Sequence, residues 1–300
     1  MKPSRALADV LAERVVLLDG GLSNQLQAQG CDLSDDLWSA RLLADDPGQI
    51  EAAHTAYARA GAEVLITASY QATFEGFARR GITRRDTEAL LAHSVTLARR
   101  AAEAVPHEVW VAASVGPYGA MLADGSEYRG RYGLSVAELT RFHRPRIETL
   151  AAAGPDVLAL ETIPDTEEAE ALLRAAEGCG IPLWLTYTAT AAHTRAGQPL
   201  AEAFALPAAA PAVIAAGVNC VAPADAAPAV SIATAVTGRP GVTYPNSGEH
   251  WTPAHGWQGE KTFTPTRLTD WTAAGARLIG GCCRVGPPDI ADLARLLKDV

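Results

Sequence analysis

Short apolar runs recur along the chain, each rich in β-branched residues and each closing on small or polar ones. An Ala/Leu-rich amphipathic stretch follows each run. The runs fall at 15–19, 64–68, 109–114, 157–161, 183–188, 213–218, 242–244 and 277–280. Continuous apolar strands separated by helices indicate a parallel sheet covered on its outside. Eight such units predict an α/β fold, a single (β/α)8 TIM barrel occupying one domain over 1–300. An open doubly wound sheet is the alternative, and the regularity of the units favours closure. Asp46 before Pro47 predicts a capped helix start, and Ser135 with Glu138 has capping-box spacing. Pro287 and Pro288 suit the first turn of a final helix running to about Leu297. The Gly/Tyr-rich stretch 116–133 is expected to form a loop over the barrel mouth.

Composition narrows the class of protein. A net charge of −9 and the absence of a Lys/Arg run disfavour nucleic acid as a partner. No apolar stretch is long enough for a membrane span, and residues 1–14 lack the apolar centre of a signal peptide, so a cytoplasmic location is expected. Five cysteines is an odd number and two of them are adjacent. Reduced thiols or metal ligands fit that pattern better than a disulfide framework.

In such barrels, chemistry sits where strands end at the C-terminal face. Those positions are Asp19-Gly20-Gly21, Ser69-Tyr70-Gln71, Glu161-Thr162, Asn219-Cys220, Asn246 and Cys282-Cys283. Barrel closure brings Cys220, after the sixth strand, towards Cys282 and Cys283, after the eighth. Three thiolates suit zinc better than a hard cation, and three protein ligands leave the fourth tetrahedral position open. Gly280-Gly281 is expected to let the backbone turn so that both following side chains face one ion. A substrate thiol entering the open position would be deprotonated and able to attack an electrophilic methyl group. The competing reading makes Cys220 a buried core thiol and the adjacent pair a packing feature. Cys31, in a polar loop, and Cys179, before the fifth strand, are read as structural.

Asp19 and Glu161 are carboxylates at the ends of apolar strands, where charge needs a partner such as an ammonium group. For Asp19 the alternative is a cap on a backbone turn. Tyr70, Tyr244, Trp251 and Trp257 are candidates to shield a cation, with plain packing as the alternative for each. Lysine occurs only at 2, 261 and 298, which argues against a Schiff-base aldolase. There is no G-x-S-x-G elbow, P-loop or G-x-G-x-x-G, and the histidines show no paired ligand spacing and are expected mostly at the surface.

Several motifs stand in order: LLDGG at 17–21, TASYQAT at 67–73, GPYGAMLADGSEYRG at 116–130, ETIP at 161–164, GVNC at 217–220, YPNSGE at 244–249 and GGCCRVGP at 280–287. In these the chain resembles the homocysteine S-methyltransferases over nearly its whole length. The resemblance implies a zinc-dependent barrel that transfers a methyl group to homocysteine, forming methionine. It assigns Cys220, Cys282 and Cys283 to the zinc, and places Asp19, Gly20 and Glu161 at the amino-acid end of homocysteine. Asn219 falls beside the metal and Gln71 on the methyl-donor side. The wording of the motifs is nearest to members using S-methylmethionine or S-adenosylmethionine, while 189–197 departs from the family pattern. The rival readings are another thiol or selenol acceptor, a non-catalytic zinc- or redox-sensing barrel, and a metal-free barrel lyase.

Overall fold

The structure is a computed structural model and describes residues 3–35, 37–190, 192–252 and 256–298. Eight strands form the barrel: β1 (Val16–Leu17), β2 (Val64–Ile66), β3 (Trp110–Val115), β4 (Val157–Ile163), β5 (Leu183–Tyr187), β6 (Val213–Asn219), β7 (Gly241–Tyr244) and β8 (Ala276–Ile279). All neighbours pair in parallel, in the order β1-β8-β7-β6-β5-β4-β3-β2. A parallel bridge from Leu18 to Val64 joins the two ends of that order, so the sheet closes into the expected (β/α)8 barrel.

Strand periodicity sorts the side chains into two cores. Val16, Leu18, Val64, Trp110, Ala112, Val157, Ala159, Trp184, Ala215, Val242 and Leu278 fill the barrel interior. The alternate residues, among them Val111, Leu158, Leu160 and Leu185, pack outward against the helices. Helix α1 (Leu7–Leu11) adds Leu7, Val10 and Leu11 to the interior cluster, and the Trp110 indole donates to the Arg5 carbonyl. These contacts plug the N-terminal end and leave the C-terminal end for chemistry.

Three further helices frame that end: α2 (Pro47–Arg59), α3 (Tyr118–Leu122) and α4 (Val136–Ala152). The Ser135/Glu138 capping box forms, but Asp46, although it occupies the N-cap of α2, makes no side-chain cap bond. The mouth stretch is more ordered than a plain loop. It contains α3 and a turn of 3-10 helix at Ser126–Tyr128. Next in chain order come α5 (Thr166–Ala176) and the final helix α6 (Pro287–Lys298), which begins at its prolines as expected. Among the described residues no helix is long and apolar enough to cross a membrane.

Two of the described histidines, His54 and His143, are fully buried. His54 lies in the core face of α2 with neither ring nitrogen partnered, and burial lowers its pKa to about 4. His143 on α4 pairs with Glu168 of α5 at 2.9 Å. The same carboxylate accepts from the backbone N–H of Tyr118 and from the Tyr132 hydroxyl. Arg146, also buried, donates to the Gly116 carbonyl and to His143. A buried polar network thus ties the mouth stretch to two helices of the outer ring.

Candidate active site and metal centre

The inward parity that packs the barrel continues upward into polar residues. Ser114, Glu161, Thr186, Asn219 and Tyr244 follow the apolar layers at alternate positions of β3, β4, β5, β6 and β7. They bond to one another. Glu161 accepts from the Ser114 hydroxyl through Oε1 and from the Tyr244 hydroxyl at 2.9 Å through Oε2. Thr186 donates to Asn219 Oδ1 at 2.7 Å and lies 3.0 Å from the Tyr244 hydroxyl. Tyr244 is therefore a buried hydrogen-bonding strand residue, not a mouth-loop shield. Ser114 and Thr186 escaped the sequence reading, although their strand parity was a usable signal. The side chain of Trp251 lies outside the described part, while Trp257 stands 6.0 Å from the Arg284 guanidinium.

Asn219 is the clamp of this layer. Its Oδ1 accepts from the Thr162 backbone N–H at 2.7 Å, and its Nδ2 donates to the Thr162 hydroxyl at 2.7 Å. Thr162 needs the support: its φ is +61°, an unfavourable region for a β-branched residue. Cys220 (φ +49°) and Arg284 (φ +63°) share that left-handed conformation, so all three strained residues border the cysteine-bearing strand ends.

Backbone bonds fix the two cysteine segments. Cys220 N–H donates to the Tyr244 carbonyl, Cys282 N–H to the Pro245 carbonyl, and Cys283 N–H to Asn246 Oδ1 at 3.1 Å. After Gly280 and Gly281 both cysteine side chains do face one point, their sulfurs 4.0 Å apart, without left-handed backbone at either glycine. The glycines also serve close approach. A Cβ on Gly280 would stand 2.6 Å from Leu18 Cβ and 2.7 Å from the Asp19 carbonyl oxygen. Gly20 is equally confined, with its missing Cβ 2.8 Å from the Tyr57 ring.

The sulfurs of Cys220, Cys282 and Cys283 lie within 4.8 Å of one another, as the sequence predicted. Cys282 and Cys283 stand 4.0 Å apart, close to the ~3.8 Å separation of two sulfurs on one tetrahedral zinc at ~2.3 Å. The Cys220 and Cys282 sulfurs are in direct contact, with Cα atoms 5.7 Å apart, so the two can join as a disulfide when oxidised. Once reduced, the three sulfurs form a soft donor set of the kind zinc favours, with no fourth protein ligand in the cluster among the described residues. Burial pushes the Cys283 thiol up to about 11, so it needs a cation to persist as thiolate near neutrality. Cys31 and Cys179 are free and stand outside the cluster.

The two carboxylates stand within electrostatic reach of each other. Asp19 Oδ2 accepts from the Ile66 N–H at 2.9 Å, which is the backbone role left open for it. Burial, and then the charge of Glu161, hold its pKa well above the usual carboxylate range. Burial likewise raises Glu161 to about 7, against the lowering effect of Ser114 and Tyr244. Two buried like charges call for a proton or a cation between them. Gln71 is buried against the mouth stretch. Its amide donates to the Ala120 carbonyl at 3.1 Å and its Oε1 has no partner.

The closed parallel barrel thus carries, at the C-terminal ends of its strands, three cysteines that could share one metal ion and two buried carboxylates. The model of the homocysteine S-methyltransferase family matches residues 16–297, and the chain belongs to that family. The homocysteine S-methyltransferase of Escherichia coli strain K12 is 46% identical over 303 residues, covering 97% of each chain. The crystal structure of the Escherichia coli homocysteine methyltransferase MmuM in its metallated form superposes with a TM-score of 0.88. It is 44% identical and covers 97% of this chain and all of the other. The oxidized form of MmuM gives 0.87 at 45% identity, over 99% and 100% of the two chains.

Proposed function

We propose that this protein is a zinc-dependent enzyme, one barrel domain over 1–300, that moves a methyl group from a sulfonium donor to the thiol of homocysteine, forming methionine. The observation that carries the reading is the three-sulfur cluster opening beside a buried carboxylate pair. One part suits a thiol and the other an ammonium group, and homocysteine carries both. Cys220, Cys282 and Cys283 would hold the metal, which supplies a Lewis acid that keeps the substrate sulfur ionised near neutral pH. Glu161 and Asp19 bind the substrate ammonium, whose charge offsets the repulsion between them. Gly20 keeps the adjacent backbone close enough to line that pocket. Asn219 does not touch substrate in this account. It positions Thr162, whose hydroxyl is 4.0 Å from the Cys220 sulfur.

The donor, S-methylmethionine or S-adenosylmethionine, enters from the side of Gln71, whose free Oε1 offers it an acceptor. Attack by an anionic sulfur on a cationic one cancels charge, so a site with little water favours the step once the atoms are aligned. No general base is required of the protein. The test is methionine formation from homocysteine by reduced, zinc-loaded protein, with each donor in turn. Cys220→Ala, Cys282→Ala and Cys283→Ala should each lose zinc and turnover together. Undiminished turnover by a metal-free Cys283→Ala protein, or no methionine from either sulfonium, would overturn the proposal.

A further inference from the structure

Two charged side chains near the mouth, one from the 116–133 stretch and one from beyond β5, are not used by the mechanism above. Glu127 lies in the 3-10 turn Ser126–Tyr128, and its Oε2 is buried with no hydrogen-bond partner. Arg195 comes from the hairpin after β5. It donates to the Thr188 hydroxyl at 3.3 Å and forms no salt bridge among the described residues. Its guanidinium stands 5.7 Å from the centroid of the Tyr128 ring. Tyr128 therefore joins the two, one as its chain neighbour and the other against its ring.

This trio faces the cysteines. Tyr128 and Glu127 both lie within electrostatic reach of Cys283, and Glu127 also of Tyr70. The turn is held firmly in place. A Cβ on Gly119 of α3 would stand 2.6 Å from the Ser126 carbonyl carbon, so helix and turn are in close contact. Glu161 and Asp19 are taken by the homocysteine ammonium in the reading above, and Glu168 is bonded to Tyr118, Tyr132 and His143. Glu127 thus offers an unpartnered buried carboxylate oxygen, and Arg195 a cation with Asp225 within electrostatic reach but no direct ion pair among the described residues.

We propose that Glu127 and Arg195, on either part of the Tyr128 contact, recognise the zwitterionic amino-acid end of the methyl donor. Glu127 takes its ammonium and Arg195 its carboxylate. The inference rests on the sulfonium-donor reading and deepens it. The chemistry favours this division of labour. A carboxylate set on the sulfonium would stabilise a charge that disappears in the transition state, and so would favour the ground state. Set on the ammonium, which the reaction does not consume, it anchors the donor equally before and during transfer. The Tyr128 ring, 38% exposed, remains as an apolar wall beside the reacting sulfurs.

The test is steady-state kinetics of the zinc-loaded enzyme with S-methylmethionine and homocysteine, for Glu127→Gln and Arg195→Met. Loss of one charge-assisted bond predicts a donor KM raised about tenfold or more. The homocysteine KM should stay within about twofold and zinc stoichiometry should be unchanged. Glu127→Asp and Arg195→Lys should fall between wild type and the neutral variants, because they keep the charge. A donor analogue without the α-amino group should bind weakly to the wild type and be insensitive to Glu127→Gln. An unchanged donor KM overturns the proposal. So does a homocysteine KM that rises by the same factor, which would put these residues in the acceptor pocket. Wild-type protein that uses no sulfonium at all would instead overturn the donor reading itself, and this inference with it.

Discussion

Glu161 shows how a single side chain sets a pH dependence. Its carboxyl is held at about 7 by burial, partly offset by the hydroxyls of Ser114 and Tyr244. Only the ionised form pairs with an ammonium, so binding should strengthen as pH rises through 7. Between pH 6 and pH 8 the ionised fraction grows about tenfold, and the KM for homocysteine should fall by a similar factor. Glu161→Gln should bind the acceptor weakly at every pH, with the slope removed and zinc retained. A KM that follows the same slope in Glu161→Gln would assign the titration to another group. His54 gives a second prediction, in stability. The folded protein holds it neutral to about pH 4, against 6.5 in the unfolded chain, so stability is complete above pH 6.5 and is lost as pH falls towards 4. The loss attributable to it is about 3 kcal/mol at the low end. Acid unfolding of His54→Leu, followed by denaturant titration at pH 7 and pH 4.5, should show a smaller difference between the two pH values than the wild type does.

At the scale of elements, strand ends and helix-bound tethers divide the work of holding the site. Asn219 bonds Thr162 twice and Thr186 once, so Asn219→Ala strands several buried groups and frees a left-handed threonine. The expected cost is about 3 kcal/mol, read as a drop in thermal midpoint, with metal affinity falling because Cys220 is the next residue. Glu168 holds the mouth stretch from behind, through Tyr118 and Tyr132. Glu168→Ala should speed proteolytic cleavage within 116–133 and raise the donor KM while leaving the homocysteine KM nearly unchanged. What could be read from the chain differs along the same lines. The eight apolar runs announced the strands because burial on both faces leaves a continuous local trace. The three cysteines were legible because thiols at strand ends have few other uses. The Ser114–Glu161–Tyr244 and Thr162–Asn219–Thr186 bonds were not legible, since each joins residues 33 to 83 positions apart and depends on barrel closure. The close packing at Gly280 was not legible for a related reason: its neighbour is Leu18, at the other end of the chain.

At the scale of the whole molecule, closure of the barrel is what joins sulfur chemistry to redox state. Cys220 and Cys282 are 62 residues apart, and either bind to each other or face a shared metal with Cys283; they do not do both. The oxidised chain should therefore show three reactive thiols after unfolding, from Cys31, Cys179 and Cys283. The reduced chain should show all five. Folded and loaded with zinc, it should show Cys31 and Cys179 alone, because a liganded thiolate is withheld from alkylation. Metal that binds the folded chain and not the unfolded one stabilises it by mass action, about 2.7 kcal/mol at a hundredfold excess over Kd. Over a chain of this length that corresponds to a rise of roughly 5 °C in thermal midpoint. The rise should appear only after reduction and vanish with a chelator. Five alkylated cysteines in the folded, zinc-treated protein would show that the cluster does not hold the metal. A rise that persists in Cys220→Ala would place the metal elsewhere, so the alkylation count and the midpoint together locate the ion without any measurement of turnover.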